Sequence, residues 1–158
     1  YPIVVCDIRG VGKSFGSRYE GAHVISEIRK SYPDKFLNAY TGVTYDPSYN
    51  DKLAHADSTL AKDSQIEQWT QVLERGLTSM GDPKQRWIRF RANLLSKDID
   101  LFALLKLEQA FIQSIQTRNS GLLAKEAQGL HFSSELQELI VRFSVVAVAQ
   151  LLEHVVLK

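Results

Sequence analysis

Strand and helix patterns alternate three times within the first half of this sequence. Short, largely apolar runs typical of strands occupy residues 2–6, 36–40 and 58–61. Apolar residues at helical spacing follow these runs, over residues 22–30, 49–53 and 64–81. Strands that alternate with helices through short connections form βαβ units, which build a parallel sheet. The order therefore predicts an α/β fold with a parallel sheet of about three strands.

The second half of the chain has a different character. After Pro83 there is no strand pattern, and helical spacing extends over residues 87–95, 99–115 and 133–158. We therefore expect an α/β unit over residues 1–82 and an all-helical extension over residues 83–158. The last helix is apolar on more than one face. Because Arg142 and Glu153 interrupt it, it fits a buried or dimer-forming helix better than a membrane span of about 20 apolar residues.

A polar residue stands at or near the end of each predicted strand: Asp7, Thr41 and Lys62. The carboxyl ends of parallel strands meet at one edge of a sheet, where ligands bind, so we expect the three residues to converge. The carboxylate can act as a nucleophile toward a phosphoryl group, while the hydroxyl and the ammonium bind its oxygens. The sequence thus predicts a phosphoryl-transfer site at this edge.

Three segments, in this order and spacing, resemble the later half of a bacterial response-regulator receiver domain. Ile3–Asp7 is similar to the strand that ends in the phosphoryl-accepting aspartate. Residues 27–42 resemble the helix, the Tyr-Pro turn and the strand that ends in a switch threonine, and residues 56–62 resemble the Ala-Asp segment that ends in a lysine. The resemblance covers about half of the chain and implies part of a flavodoxin-like sheet. It makes Asp7 the acceptor, Thr41 the switch residue and Lys62 the phosphate-binding lysine.

The resemblance implies a signalling module of a phosphorelay rather than an enzyme that turns over a substrate. A partner histidine kinase or phosphotransfer protein would phosphorylate Asp7. Phosphorylation would then shift a two-state equilibrium in which Thr41 is the switch residue. The helical extension would serve as an output region or as the interface of a homodimer. The other candidate, from a different class, is a phosphorylation-independent pseudo-receiver that acts as a protein-interaction scaffold.

The family also implies a Mg²⁺ ion, held by Asp7, by the backbone carbonyl of Arg9 and by an acidic pair on an earlier strand. This sequence begins at Tyr1 with an apolar run and contains no such pair, so the resemblance implies Mg²⁺ only if residues outside this chain supply the pair. Two further positions depart from the family. Thr59 stands where an aromatic residue is usual, and Asp63 stands where proline is usual.

Composition argues against several other classes. The formal net charge of +1, from 19 basic and 18 acidic residues, gives no overall field that attracts nucleic acid or an anionic membrane. The single Cys6 excludes an internal disulfide and a thiolate-rich zinc site, and it favours a reducing cytoplasmic setting. The four histidines lack the spacing of metal ligands.

Two motifs suggest ligands that the rest of the sequence does not support. Residues 10–14 (GVGKS) resemble the end of a Walker A loop, but Asp7 stands where the first glycine of that motif is required. Residues 84–91 mix basic and aromatic side chains that are able to touch nucleic acid. Because no standard DNA-binding module is evident, a solvated helix face is the simpler interpretation.

Overall fold

The computed structural model of the chain describes residues 1–42 and 47–156. The chain divides into two compact units, Tyr1–Met80 and Gly81–Lys158. The first contains all the strands of the described residues, and the second is helical.

The first unit alternates strands and helices. Its strands are β1 (Ile3–Asp7), β2 (Phe36–Thr41) and β3 (Ser58–Ala61), and its α-helices are α1 (Glu20–Ser31), α2 (Asn50–Leu53) and α3 (Ile66–Gly81). Short 3₁₀ helices lie at Lys13–Phe15 and Pro47–Tyr49. The strands pair in the order β1-β2-β3, and both pairs are parallel. The predicted α/β fold with a three-stranded parallel sheet is confirmed.

Helices cover both faces of this sheet. Successive side chains of a strand point to opposite faces, so Leu37 and Ala39 lie on one face, where they join a buried cluster with Ala22 and Ile25 of α1. On the other face, α3 lies close to the sheet at Gly76. A Cβ atom there would lie 3.0 Å from Ile3 Cδ1 and 3.1 Å from Phe36 Cδ1. The missing side chain of this glycine allows the helix to pack directly on the sheet.

A partly buried ion pair ties α1 to the start of β3. The Arg29 guanidinium donates to Asp57 Oδ2 at 2.6 Å, and the same oxygen accepts from the backbone N–H of Leu37 at 2.7 Å. Arg29 also donates to three backbone carbonyl oxygens, those of Pro33, Lys35 and His55. One guanidinium therefore satisfies several polar groups of the connections around β2.

The second unit consists of four helices in the described residues: α4 (Pro83–Leu95), α5 (Leu101–Thr117), α6 (Gly121–Gly129) and α7 (Ser134–Val156). Asp82 caps α4 by accepting from the N–H of Lys84 at 2.8 Å, with Pro83 in the first turn. Asp100 caps α5 by accepting from the N–H of Ala103 at 3.0 Å. The core contains a cluster of aromatic side chains, in which Phe90 and Phe143 stack at a centroid distance of 3.9 Å.

The sequence patterns missed several features of these helices. Helix α6 was not predicted, because its nine residues lie between glycines that read as loop signals. Arg86, assigned to a solvated face, is 2% exposed and donates to the carbonyl oxygen of Val146 at 3.4 Å. The last two residues of the predicted final helix lie outside the described residues. None of the described helices has a stretch long and apolar enough to cross a membrane.

Candidate functional site

Asp7 and Lys62 meet at the carboxyl edge of the sheet. The Lys62 ammonium donates to Asp7 Oδ2 at 2.5 Å, although the two residues are 55 positions apart in the chain. The strand register brings them together. Asp7 pairs with Tyr40, Tyr40 pairs with Leu60, and Lys62 follows Leu60 by two positions on the same face. The parallel topology thus places the acid and the base of the predicted site in direct contact.

Both carboxylate oxygens of Asp7 have a donor. The backbone N–H of Arg9 donates to Oδ1 at 3.1 Å, while Lys62 binds Oδ2. The hydrogen bond from Lys62 is the main reason why the pKa of Asp7 lies below its ordinary value. Burial opposes this effect in part, and the N–H of Arg9 lowers the pKa further. Asp7 is therefore a carboxylate at neutral pH, the form that acts as a nucleophile.

Thr41 lies at the same edge. It ends β2, one residue beyond the partner of Asp7, and its carbonyl oxygen accepts from the N–H of Lys62 at 2.9 Å. Gly42 follows, and a Cβ atom there would lie 3.0 Å from Lys62 Cδ. The absence of a side chain at Gly42 leaves room for the lysine stem. The structure thus joins Asp7 and Lys62 and places the Thr41 backbone beside the lysine.

The described residues do not by themselves fit a magnesium ion. They contain no group of three or more His, Cys, Asp or Glu side chains able to hold a metal. The two oxygens of Asp7 already accept from Lys62 and Arg9. Mg²⁺ requires near-octahedral oxygen coordination, usually with one or two carboxylates. The Arg9 carbonyl as a ligand, and the Mg²⁺ ion itself, therefore remain predictions that depend on further acidic residues.

The loop after Asp7 is held by an internal carboxylate. The N–H of Gly10 donates to Glu20 Oε2 at 2.5 Å. Gly12 has a φ of +79°, and a 3₁₀ helix rather than an α-helix follows it. A phosphate-binding loop instead leads directly into a helix whose first N–H groups face the phosphate. The loop geometry therefore differs from that of a Walker A motif.

Helix α1 approaches β1 closely at Gly21. Its N–H donates to the carbonyl oxygen of Ile8 at 3.2 Å, and a Cβ atom at Gly21 would lie only 1.8 Å from the Asp7 carbonyl oxygen. Any larger residue would push α1 away from the strand end that carries Asp7. The helix predicted from the sequence begins one residue later, at residue 22, so the sequence pattern did not reveal this close contact.

Cys6, next to Asp7, does not offer a second nucleophile. It is buried, and its Sγ donates to the carbonyl oxygen of Gly21 at 3.6 Å. Burial raises the pKa of the Cys6 thiol above its ordinary value, and the negative charge of Asp7 raises it further. The thiol therefore stays protonated at neutral pH, and the thiolate is the reactive form.

Comparison with solved structures gives a likeness of fold at low sequence identity. No protein-family model and no curated protein matches the sequence. The structure is similar to two crystal structures of NtrX from Brucella abortus, one in complex with ADP and one with ATP. For the ADP complex the TM-score is 0.42 at 18% identity, over 79% of this chain. For the ATP complex it is 0.40 at 17% identity, over 90% of this chain. The match spans 29% of NtrX in both cases.

Proposed function

We propose that this chain is a receiver module of a signalling phosphorelay, in which Asp7 accepts a phosphoryl group from a partner histidine kinase or phosphotransfer protein. The contact between Asp7 and Lys62 carries this proposal. An ionised carboxylate at the carboxyl edge of a parallel sheet, beside an ammonium from two strands away, is suited to attack phosphorus and to neutralise the transferred group. The order of the three sequence segments that resemble receivers supports the same function.

The residues divide the reaction between them. One oxygen of Asp7 attacks the phosphorus of a phosphohistidine. The new P–O bond forms as the P–N bond breaks, and the imidazole leaves with the electron pair of that bond. Lys62 exchanges its contact with Asp7 Oδ2 for one with a phosphoryl oxygen and balances the added charge. The Thr41 hydroxyl, at the same edge, donates a hydrogen bond to a second oxygen.

The helical unit would serve as an output or dimerisation region. Leu101, Leu105 and Ile112 lie along one side of α5 and are each about half exposed, at 59%, 49% and 47%. An apolar stripe of this kind is typical of a surface that another protein or a second copy covers. The stripe supports an interaction role for this unit.

Intact-mass spectrometry tests the proposal. The protein is incubated with acetyl phosphate, with and without Mg²⁺, and with a phosphorylated histidine kinase as a second donor. We expect a mass increase of one phosphoryl group for the wild type, and no increase for Asp7→Asn, which keeps the shape of the side chain but lacks the nucleophilic charge. The matched control Asp51→Asn alters an exposed carboxylate in α2 and should keep the adduct. Absence of an adduct under every condition would contradict the proposal.

A second candidate is a phosphorylation-independent scaffold. Two observations favour it. Both oxygens of Asp7 already have donors, and the described residues offer no complete magnesium site. In this case Asp7 and Lys62 form an ion pair that only fixes the sheet edge. The scaffold predicts that no adduct forms and that Asp7→Asn does not alter the affinity of the chain for a protein partner.

A further inference from the structure

An exposed ion pair alone does not fix the position of Lys62. Its side chain is 41% exposed and that of Asp7 is 29% exposed. Ion pairs of this kind contribute little to stability, because water screens the charges and a long lysine side chain loses rotamer entropy when it is held in one geometry. A lysine that serves a phosphoryl site must nevertheless stay close to the acceptor. Another contact has to confine the ammonium.

The ring of Tyr40 provides such a contact. Lys62 Nζ lies 5.6 Å from the centroid of this ring, within the range of a cation–π interaction. Tyr40 is paired with Asp7 on one side and with Leu60 on the other, so its side chain stands between the strands that carry the acid and the base. On the other side, Gly42 leaves space for the lysine stem.

The ring is itself held in place by α3. Trp69 packs against Tyr40 with a centroid distance of 5.2 Å and an interplanar angle of 52°. Both side chains are half-buried. The Tyr40 hydroxyl also donates to the carbonyl oxygen of Lys62 at 3.5 Å. This long hydrogen bond involves the backbone of Lys62, whereas the ring face contacts its ammonium.

We propose that Tyr40 is a positioning residue that holds the Lys62 ammonium at Asp7 through its ring face. The importance of this position for phosphoryl transfer rests on the proposed function, whereas the contact itself does not. With Tyr40 in place, Lys62 is shared between a carboxylate and a ring. When a phosphoryl group arrives, the ammonium shifts toward it while the ring continues to limit its range.

The pKa of the Asp7 carboxyl measures how well Lys62 is held, and NMR of carbon-labelled aspartate follows it. Tyr40→Leu should raise this pKa toward its value in Lys62→Met, by about 0.4 to 0.7 pH units if the whole attraction of the ring is lost. Tyr40→Phe keeps the ring face, so the pKa of Asp7 in this variant should stay close to the wild-type value. Phosphoryl uptake at Asp7 should slow about two- to fivefold in Tyr40→Leu.

Tyr32 supplies a matched control, because Lys35 Nζ lies 5.3 Å from its ring centroid. Tyr32→Leu removes a similar ring from under a lysine and should leave the pKa of Asp7 unchanged. If Tyr40→Leu fails to fold, 3,4,5-trifluorophenylalanine at position 40 gives the same test. It keeps the shape of the ring but withdraws electrons from its face, so the pKa of Asp7 should again rise.

The inference is overturned if Lys62→Met raises the pKa of Asp7 while both changes at position 40 leave it at the wild-type value. It is also overturned if Lys62→Met has no effect. The pKa measurement uses no phosphoryl donor, so it is independent of the receiver function. If the variants at position 40 show the pKa shift of Asp7 but the chain takes up no phosphoryl group, the role of Tyr40 stands and the proposed function fails. If the chain is phosphorylated but the variants show no pKa shift, the proposed function stands and the role of Tyr40 fails.

Discussion

The charge on Asp7 is maintained by two donors from opposite directions in the chain. Lys62 comes from beyond β3, and the N–H of Arg9 comes from the adjacent turn. The lowered pKa of the carboxyl follows mainly from the lysine. A nucleophile that is already ionised needs no general base for attack on phosphorus. A change at residue 62 should therefore act through the charge state and orientation of Asp7.

A different residue governs stability at mildly acidic pH. Burial, and then the positive charges of Lys52, Arg29 and Lys30, hold the pKa of His55 below its ordinary value of 6.5. The folded protein thus binds fewer protons at this site than the unfolded chain. The stabilisation from neutral His55 is complete above about pH 6.5 and is lost as pH falls from there through the lower folded pKa.

We therefore expect the thermal midpoint to fall as pH decreases from neutrality to about 5, and this slope to flatten in His55→Gln. Asp7 contributes to the pH dependence of stability only in a separate, more acidic pH range, because its pKa in the folded protein lies below 3.8. His131→Asn, in the helical unit, is the control, since asparagine tolerates the positive φ of 55° at that position. An unchanged slope in His55→Gln would contradict this assignment.

At the scale of elements, the ion pair of Arg29 and Asp57 joins α1 to the segment before β3. The two side chains are 14% and 18% exposed, so a charge left without its partner would be poorly hydrated. Asp57→Ala also removes the acceptor of the Leu37 N–H. It should lower the free energy of unfolding by about 3–5 kcal/mol.

Urea unfolding, followed by Trp69 fluorescence in a Trp87→Phe background, measures this effect. The control is Lys30→Ala, which removes an equally short but exposed pair with Glu27, 2.7 Å apart, and should cost less than about 1 kcal/mol. Equal losses in the two variants would show that burial of the Arg29 pair does not determine its contribution.

The elements of the first unit follow from sequence patterns that are local. The β-branched run at Ile3–Asp7 and the punctuation by Pro33 and Gly42 define strands and turns without reference to distant residues. The pairing of Asp7 with Lys62 was predictable as well, because parallel strands place their carboxyl ends at one edge.

Contacts that depend on side-chain packing between elements were not predictable. Tyr40 has no sequence signal that distinguishes it from any other tyrosine in a strand. Its proposed role in positioning Lys62 depends on the contact with Trp69 of α3. Arg86 is polar by type, and only the fold of the helical unit buries it. Helix α6 lacks a strong apolar period, and contacts with α5 and α7 stabilise it.

At the scale of the whole molecule, the chain consists of two units, each with its own buried cluster. The first carries the candidate acceptor site, and the second carries an aromatic core and an exposed apolar stripe on α5. In the proposed function, the first unit would take up the phosphoryl group and the second would bind a partner. This proposed division of roles depends on one chemical event at Asp7.

Trapping of the acyl phosphate tests that event most directly. The whole chain is treated with a phosphoryl donor and then with borohydride, which reduces an aspartyl phosphate to homoserine, and the modified residue is located by peptide mass spectrometry. We expect homoserine at position 7, with much less in Lys62→Met and none without donor. Homoserine in place of another aspartate, or no homoserine while a control receiver is labelled, would contradict phosphoryl transfer to Asp7.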